Sequence, residues 1–236
     1  MHILGIDTCC MAATSAVIAD DRLVAQVVQN NNKTHSQSIM PMIDFMLKQT
    51  ELSINHIDGF AVAVGPGSFT GVRIGVATIK ALAHPTNKPC IPVSTLEALA
   101  YNVAPFNGII CPILDARRNQ VYTASFLKDT KTRLTEDRAI SIEELLEELK
   151  SSDEDIIFVG DGIGTFGEQL KSALGEKAFF ASRSLRMNLA SSVAEIGYEK
   201  MLKGETLTYS NLKPTYLRMS QAERERLEKT GGKANA

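Results

Sequence analysis

Alternating and periodic apolar positions divide the chain into short strands and amphipathic helices. Residues 2–7, 14–19 and 22–29 have the composition and length of three strands. Apolar residues then recur at helical spacing on one face of a helix that begins near Thr34 or Ser36. This apolar stripe comprises Ile39, Met42, Ile43, Met46 and Leu47. The pattern predicts a β-meander followed by a helix.

Further strands and helices alternate after this helix. A strand at residues 59–64 runs into a glycine-rich loop and a helix over residues 69–83. Another strand at residues 90–93 leads to segment 94–97, whose Ser-x-x-Glu spacing is typical of a helix N-terminus. The first half of the chain therefore predicts three strands and a helix, and then strand and helix twice.

The second half of the chain repeats this order of elements. The predicted strands are residues 108–114, 119–127, 132–140, 156–160 and 178–180, and the predicted helices begin at Ser141 and cover residues 164–174 and 189–202. Alternation of strands and helices predicts an α/β fold with mostly parallel sheets covered by helices. The doubled order predicts two lobes of one ancestral unit, residues 1–105 and 106–215, joined near residues 103–107.

Composition and charge place the chain in the ordinary globular class. Of its 236 residues, 44% are hydrophobic and 22% charged, which excludes a disordered or coiled-coil protein. The net charge of -2 argues against a protein that grips a polynucleotide alone. The one long charged segment is the tail, residues 216–236, which we interpret as a solvated helix face. With no basic leader and no apolar run of ~18 residues, we expect a cytoplasmic protein without a membrane segment.

The glycine-rich segment 65–75, GPGSFTGVRIG, matches none of the common phosphate or nucleophile motifs. A Walker loop needs a Gly-Lys-Ser/Thr ending, a nucleophile elbow needs Gly-x-Ser-x-Gly, and a dinucleotide fingerprint needs a third glycine where Thr70 stands. Gly71 and Gly75, four residues apart on one helix, would let another helix approach closely. We therefore favour helix packing over ligand binding for this segment.

Other candidate sites are weaker. Segment 162–167, GIGTFG, has the dinucleotide spacing, but the next strand ends in Ala-Ser-Arg rather than in an acid, so we interpret it as a tight turn. The four histidines include no i, i+4 pair, and the four irregularly spaced cysteines include no Cys-x-x-Cys pair. These spacings predict no metal site, and they give a protease neither a metal pair nor an ordered nucleophile.

Two aspartates end equivalent first strands, Asp7 in the first half and Asp115 in the second. In two-lobed nucleotide-binding folds, carboxylates at such strand ends face the cleft and can order a magnesium ion. An ATP- and Mg-dependent phosphotransferase using Asp7 and Asp115 is therefore an alternative hypothesis. The loop after Asp7, Thr-Cys-Cys-Met, lacks the glycines that would let backbone amides surround a phosphate.

The chain resembles the TsaB (YeaZ) family, whose members have the actin-like (ASKHA, ribonuclease H-like) duplicated two-lobed fold. The matching segments are ILGIDT at 3–8, His35-Ser36 with Pro41, GPGSFTGVRIG at 65–75, DARR at 115–118 with Val121-Tyr122, and PTYLR at 214–218. The match is dense over residues 1–125 and thin over residues 128–205. Cys9-Cys10 departs from the small hydroxyl residues expected after Asp7-Thr8 and makes independent nucleotide binding less expected.

The resemblance implies a noncatalytic scaffold and activator for threonylcarbamoyl transfer to the tRNA adenosine beside the anticodon. The implied partners are a TsaD-type catalytic paralogue and a TsaE-type ATPase, with tRNA contacted indirectly and a homodimer formed when the partner is absent. The family implies no intrinsic cofactor, and nucleotide only in the complex. The implied partner or dimer interface lies on the first-lobe helices and comprises His35, Ser36, Ile39, Met42, Ile43, Met46, Phe69, Thr70, Gly71, Val72, Arg73, Gly75 and Val76.

Overall fold

The computed structural model describes residues 1–31, 33–127 and 132–218, and the first half of the chain forms a five-stranded sheet. Its strands are β1 (His2–Asp7), β2 (Ala13–Ala19), β3 (Arg22–Gln29), β4 (Gly59–Ala63) and β5 (Cys90–Val93). Their order is β3-β2-β1-β4-β5, with β1 antiparallel to β2 and parallel to β4. All five strands were predicted from the apolar pattern.

The second half builds a sheet of the same topology. Its strands are β6 (Ile109–Asp115), β7 (Gln120–Thr123), β8 (Phe126–Leu127), β9 (Thr132–Arg133), β10 (Arg138–Ser141), β11 (Ile156–Val159) and β12 (Ala178–Phe180). The order β10-β7-β6-β11-β12 repeats that of the first sheet, and β8 and β9 add a small ribbon beside β6. The predicted strand 119–127 is two strands, because β7 pairs with the end of β6 whereas β8 pairs with its beginning.

Six α-helices among the described residues cover the two sheets. They are α1 (His35–Gln49), α2 (Phe69–Thr86), α3 (Thr95–Tyr101), α4 (Ile142–Lys150), α5 (Gly162–Leu174) and α6 (Ala190–Leu202). The predicted serine caps are present: Ser94 accepts a hydrogen bond from the Glu97 amide and Ser141 from the Glu144 amide, at 3.3 and 3.1 Å. α2 is one turn longer than predicted and ends at Thr86, and the following Asn87 adopts the left-handed conformation that caps it.

The third helix of each half packs on the sheet of the other half. α3 lies against β6, whereas α6 lies against β1, β2 and β4 of the first sheet. Small residues permit the α6 contact: a Cβ on Gly5 would lie 2.6 Å from the Ala190 carbonyl oxygen, and one on Gly197 would lie 2.5 Å from Ala61 Cβ. The strands of the two sheets lie on either side of residue 105, whereas α6 from the second half belongs to the core of the first sheet.

The segment after α6 stays on the first lobe and then reaches the second. The Thr215 amide donates to the Val64 carbonyl at 2.8 Å, and Arg218 Nη1 donates to the Ala116 carbonyl at 2.8 Å. The rest of the predicted tail, residues 219–236, lies outside the described residues. Within the described ranges, no helix is both long and apolar enough to cross a membrane.

Candidate functional site

The two lobes enclose a cleft of about 490 Å³ at the carboxyl ends of β1 and β6. The loop after β1 and the start of α2 form one wall, and the end of β6 with the following turn forms the other. The polar and charged groups lining the cleft are Cys10, His35, Ser68, Asp115, Arg117, Tyr122 and Asp161. Both sheets thus bring the ends of their first strands to one place, as the repeated topology predicts.

Asp7 ends β1 but does not line this cleft. Its side chain is 0% exposed, and its Oδ1 accepts a hydrogen bond from the Cys9 amide at 2.7 Å. Its Oδ2 is buried without a hydrogen-bond partner among the described residues. Burial raises the pKa of Asp7 to about 6, and the Cys9 amide opposes part of that shift. Asp7 is therefore enclosed beneath the loop that it organises.

Polar groups of the glycine-rich segment are hydrogen-bonded to the loop after β1. Thr8 Oγ1 donates to the Gly71 carbonyl at 2.7 Å, and the Ser68 amide donates to the Cys9 carbonyl at 2.7 Å. Ser68 Oγ accepts from the Gly71 amide at 3.2 Å, which caps α2. A phosphate-binding loop presents unpaired amides to its ligand, whereas these amides are already bonded within the chain. The Ser68 and Gly71 amides are therefore not free to bind a phosphate.

Gly71 and Gly75 pack within the chain and not against another helix. A Cβ on Gly71 would collide with the Thr8 carbonyl oxygen, and one on Gly75 would lie 2.7 Å from Thr8 Oγ1 and 3.4 Å from Val62 Cγ2. The sequence correctly identified a close approach at these glycines but assigned it to a partner helix. The approaching element is the loop after β1, so their assignment to a partner interface is corrected.

Asp115 lies at the cleft rim and is held by its neighbours. Its Oδ1 accepts from the Arg117 amide at 2.7 Å, and its Oδ2 accepts from Thr165 Oγ1 at 3.2 Å. Asp161 Oδ1 accepts from the Asp115 amide at 3.2 Å, and burial together with the Asp115 charge raises the pKa of Asp161. Among the described residues, no three His, Cys, Asp or Glu side chains come together as metal ligands. The paired roles predicted for Asp7 and Asp115 are not supported by this geometry, because only Asp115 faces the cleft.

Six side chains predicted for a partner interface are buried in the core of this chain. They are Ile39, Met42, Ile43, Met46, Val72 and Val76, none more than 5% exposed. The prediction that they contact a partner is corrected, because the helical stripe packs on the chain's own sheet. Ser36, Thr70 and Arg73 are exposed, and His35 and Phe69 are half-buried. His35 Nε2 lies 2.9 Å from the Cys10 carbonyl oxygen at the cleft.

Two surface features escaped the sequence analysis. Met40 and Phe45 project from the otherwise polar outer face of α1 and are 44% and 57% exposed. Tyr216 stacks on Phe69 with ring centroids 4.4 Å apart, and its hydroxyl accepts from Arg73 Nε at 2.9 Å. Met40 and Phe45 could have been found from the sequence as apolar residues outside the apolar stripe of α1. The bond between Tyr216 and Arg73 joins residues 143 positions apart and therefore has no local signal.

Comparison with known proteins agrees with this architecture. The family model of TsaD, tRNA N6-adenosine threonylcarbamoyltransferase, matches residues 22–226. The tRNA threonylcarbamoyladenosine biosynthesis protein TsaB of Bacillus subtilis is 34% identical over 97% of this chain and 99% of its own length. The Escherichia coli protein of the same name is 30% identical over 94% of this chain and 96% of its own length.

Solved structures give the same fold. YeaZ from Pseudomonas aeruginosa superposes with a TM-score of 0.75 at 21% identity, covering 92% of this chain and 99% of that one. The ROK hexokinase of Thermus thermophilus superposes with a TM-score of 0.52 at 11% identity, covering 86% and 100% of the two chains. The fold is thus the duplicated, two-lobed actin-like (ribonuclease H-like) fold. The full-length identity to the TsaB proteins shows that this chain belongs to the TsaB (YeaZ) family and functions in the synthesis of threonylcarbamoyladenosine in tRNA.

Proposed function

We propose that the chain is a noncatalytic scaffold that binds and activates a TsaD-type catalytic paralogue, together with a TsaE-type ATPase, in the cytoplasm. The observation that carries this proposal is the closed loop after β1. Asp7 is buried beneath it, the Ser68 amide donates to the Cys9 carbonyl of this loop, and the Thr8 hydroxyl of the loop donates to the Gly71 carbonyl. These polar groups maintain the fold and are not free to hold a phosphate. A member of an actin-like family with this loop is suited to a structural role.

The outer face of α1 and α2 is the surface that we propose for the partner. The two helices lie side by side on one face of the first sheet, opposite α6. On α1 this face carries the exposed Met40 and Phe45. On α2 it carries small or apolar residues that are half-buried or exposed: Ile74, Ala77 and Ala81. Small residues between larger apolar ones permit close helix-helix packing across an interface. We expect the same face to form a homodimer when the partner is absent.

Phe45→Asp is expected to weaken binding of the TsaD-type paralogue by at least about 30-fold, the effect of removing one interface hot spot of ~2 kcal/mol. The side chain is largely exposed, so the fold should tolerate the change. Titration of the purified full-length chain with its paralogue by calorimetry measures the affinity.

Phe179→Asp is the matched control, because Phe179 is a 44% exposed phenylalanine on the second lobe. It should leave the affinity unchanged. Equal affinities for wild type and Phe45→Asp would show that the partner binds elsewhere. Equal losses in both variants would show a general effect of the added charge.

The isolated chain is expected to give no saturable heat with magnesium-ATP, because the Cys9, Ser68 and Gly71 amides are already bonded within the chain. Any nucleotide would then bind only in the assembled complex. Micromolar binding that disappears in Asp115→Asn would instead support the phosphotransferase hypothesis. The same titration on the complex separates an interfacial nucleotide from an intrinsic one.

A further inference from the structure

The turn between β6 and β7 adopts a backbone conformation that its residues rarely take. Arg117, Arg118 and Asn119 have φ values of 64°, 54° and 60°, three consecutive non-glycine residues in the left-handed region. Asparagine tolerates this conformation, but arginine does so rarely. Residues 116–119, hereafter the arginine turn, therefore place two arginines where glycine or asparagine would fit with less strain.

Contacts from outside the turn hold this conformation. The Asp115 carboxylate accepts from the Arg117 amide at 2.7 Å, and the Ile142 amide at the start of α4 donates to the Asn119 carbonyl at 3.1 Å. Asn119 Nδ2 donates to Glu143 Oε1 at 2.5 Å. Strained residues persist when the surrounding structure fixes them, and they concentrate at functional positions.

Both arginine side chains point to solvent. The Arg117 side chain is 86% exposed, and its Nη1 lies 3.4 Å from Asp115 Oδ2, so its charge is partly compensated. Arg118 is exposed and makes no hydrogen bond or ion pair with any residue that the structure describes. Arg117 therefore presents a partly compensated guanidinium at the cleft, and Arg118 beside it presents one that has no partner among the described residues.

Arg218, the last residue that the structure describes, contacts the arginine turn. Arg218 Nη1 donates to the Ala116 carbonyl at 2.8 Å, so the chain leaves the described structure at the turn. The following residues carry Arg224, Arg226, Lys229 and Lys233 among three glutamates.

We propose that the arginine turn contacts the phosphodiester backbone of tRNA directly. Guanidinium groups bind phosphate oxygens in bidentate geometry, and side chains of no particular base specificity position a nucleic acid. A nucleic acid fits better than an acidic protein because the chain belongs to a family that functions in tRNA modification and because Arg218 adds a third arginine beside the turn. The contact goes beyond the scaffold role, in which tRNA is reached only through partners.

The test is an anisotropy titration of the full-length chain with a labelled, unmodified transcript of a tRNA that has adenosine after its anticodon. Arg117→Asn/Arg118→Asn is expected to weaken binding about tenfold at low salt. Loss of two phosphate contacts should also reduce the slope of log affinity against log salt by about 1.4 to 1.8 between about 50 and about 200 mM. Because asparagine suits the left-handed region, the Tm of the variant should be equal to or above that of wild type.

Arg22→Asn/Lys203→Asn is the control, because it removes the same charge from exposed positions at the start of β3 and the end of α6. It should change neither affinity nor slope. If the double variant of the turn does not fold, Arg118→Asn alone should lower the slope by about half as much.

Three results would overturn the proposal: no saturable binding by wild type at low salt, equal slopes in wild type and the arginine-turn variant, or an equal slope loss in the control. If the arginine-turn variant binds tRNA normally but loses the TsaD-type paralogue, the turn is a protein interface. That last measurement, made beside the Phe45→Asp titration, keeps the tRNA contact and the scaffold role separately testable.

Discussion

Gly71→Ala is expected to destabilise the protein by about 3 kcal/mol, the upper part of the range for overpacking a tightly packed site. The added Cβ would collide with the Thr8 carbonyl oxygen, which belongs to the backbone and cannot rotate away. Relief would require α2 to move from the loop after β1 and would break the hydrogen bond from Thr8 Oγ1 to the Gly71 carbonyl. Urea unfolding followed by circular dichroism measures the loss.

Gly164→Ala is the matched control for this change. Gly164 also lies in the first turn of a helix, α5, but a Cβ there would meet nothing within 4 Å. Alanine has the higher helix propensity, so this variant should be neutral or more stable by ~0.5 to 1 kcal/mol. Equal effects of the two substitutions would contradict the contact between Gly71 and Thr8.

Because Gly75 packs inside the chain, its substitution tests folding and not partner binding. Gly75→Arg would place a long side chain against Thr8 and Val62 inside the first lobe. We expect it to abolish folding rather than partner binding, so loss of a partner in this variant would carry no information about the interface. Phe45→Asp is the informative change, because it alters an exposed side chain.

Asp7→Asn is expected to stabilise the protein at neutral pH and to remove a pH dependence. The folded pKa of Asp7 is raised from 3.8 to about 6 because burial disfavours its charged form. The folded state therefore holds this proton more tightly than the unfolded state does. Stability from this group is complete below the unfolded pKa and falls as the pH rises through the folded pKa.

The expected size follows from the two pKa values. Between pH 4 and pH 7, ionisation of Asp7 should cost the wild type on the order of 2 kcal/mol, at 1.36 kcal/mol per pKa unit, because the unfolded carboxyl is already partly ionised at pH 4. The stability of Asp7→Asn relative to wild type should rise by up to this amount over the same interval. Urea unfolding of both proteins at the two pH values gives the difference.

Asp21→Asn provides the control for this comparison, because Asp21 is an exposed carboxylate in the turn between β2 and β3. Its substitution should not reproduce the pH-dependent gain of Asp7→Asn. A constant difference between Asp7→Asn and wild type from pH 4 to pH 7 would show that Asp7 is not penalised by burial. The expected gain would also show that Asp7 is kept despite a cost in stability.

The secondary structure could be predicted because its signals are local. The strands of the first half follow from short apolar runs, whereas the predicted strands 119–127 and 132–140 of the second half each form two strands. Helices α3 and α4 follow from Ser94 and Ser141, whose caps need only residues three positions away. The repeated order of elements also predicted two sheets of one topology. The exchange of α3 and α6 was not predicted, because amphipathic helices carry no signal for which of two similar sheets they cover.

The features of the candidate site also divide into those that the sequence predicted and those that only the tertiary structure decided. Glycine spacing in segment 65–75 revealed a close approach but not the approaching element, because a glycine records only that space is required. The apolar stripe of α1 identified a buried face and, read alone, could equally be a core or an interface. Its burial in the chain's own core was decided by the sheet that it meets. With the apolar stripe buried, the exposed Phe45 is the apolar residue of α1 that the packing of the chain does not explain.

The sequence by itself determined the elements, the internal duplication and the family resemblance, since each depends on residues close in the chain or on matched segments. Tertiary structure alone decided that Asp7 is enclosed and Asp115 is not, since burial depends on packing between distant segments. It also decided that Tyr216 and Arg218 join α2 to the arginine turn, contacts that span more than a hundred residues. Such contacts depend on how the two lobes pack against each other, and no local pattern in the sequence encodes that arrangement.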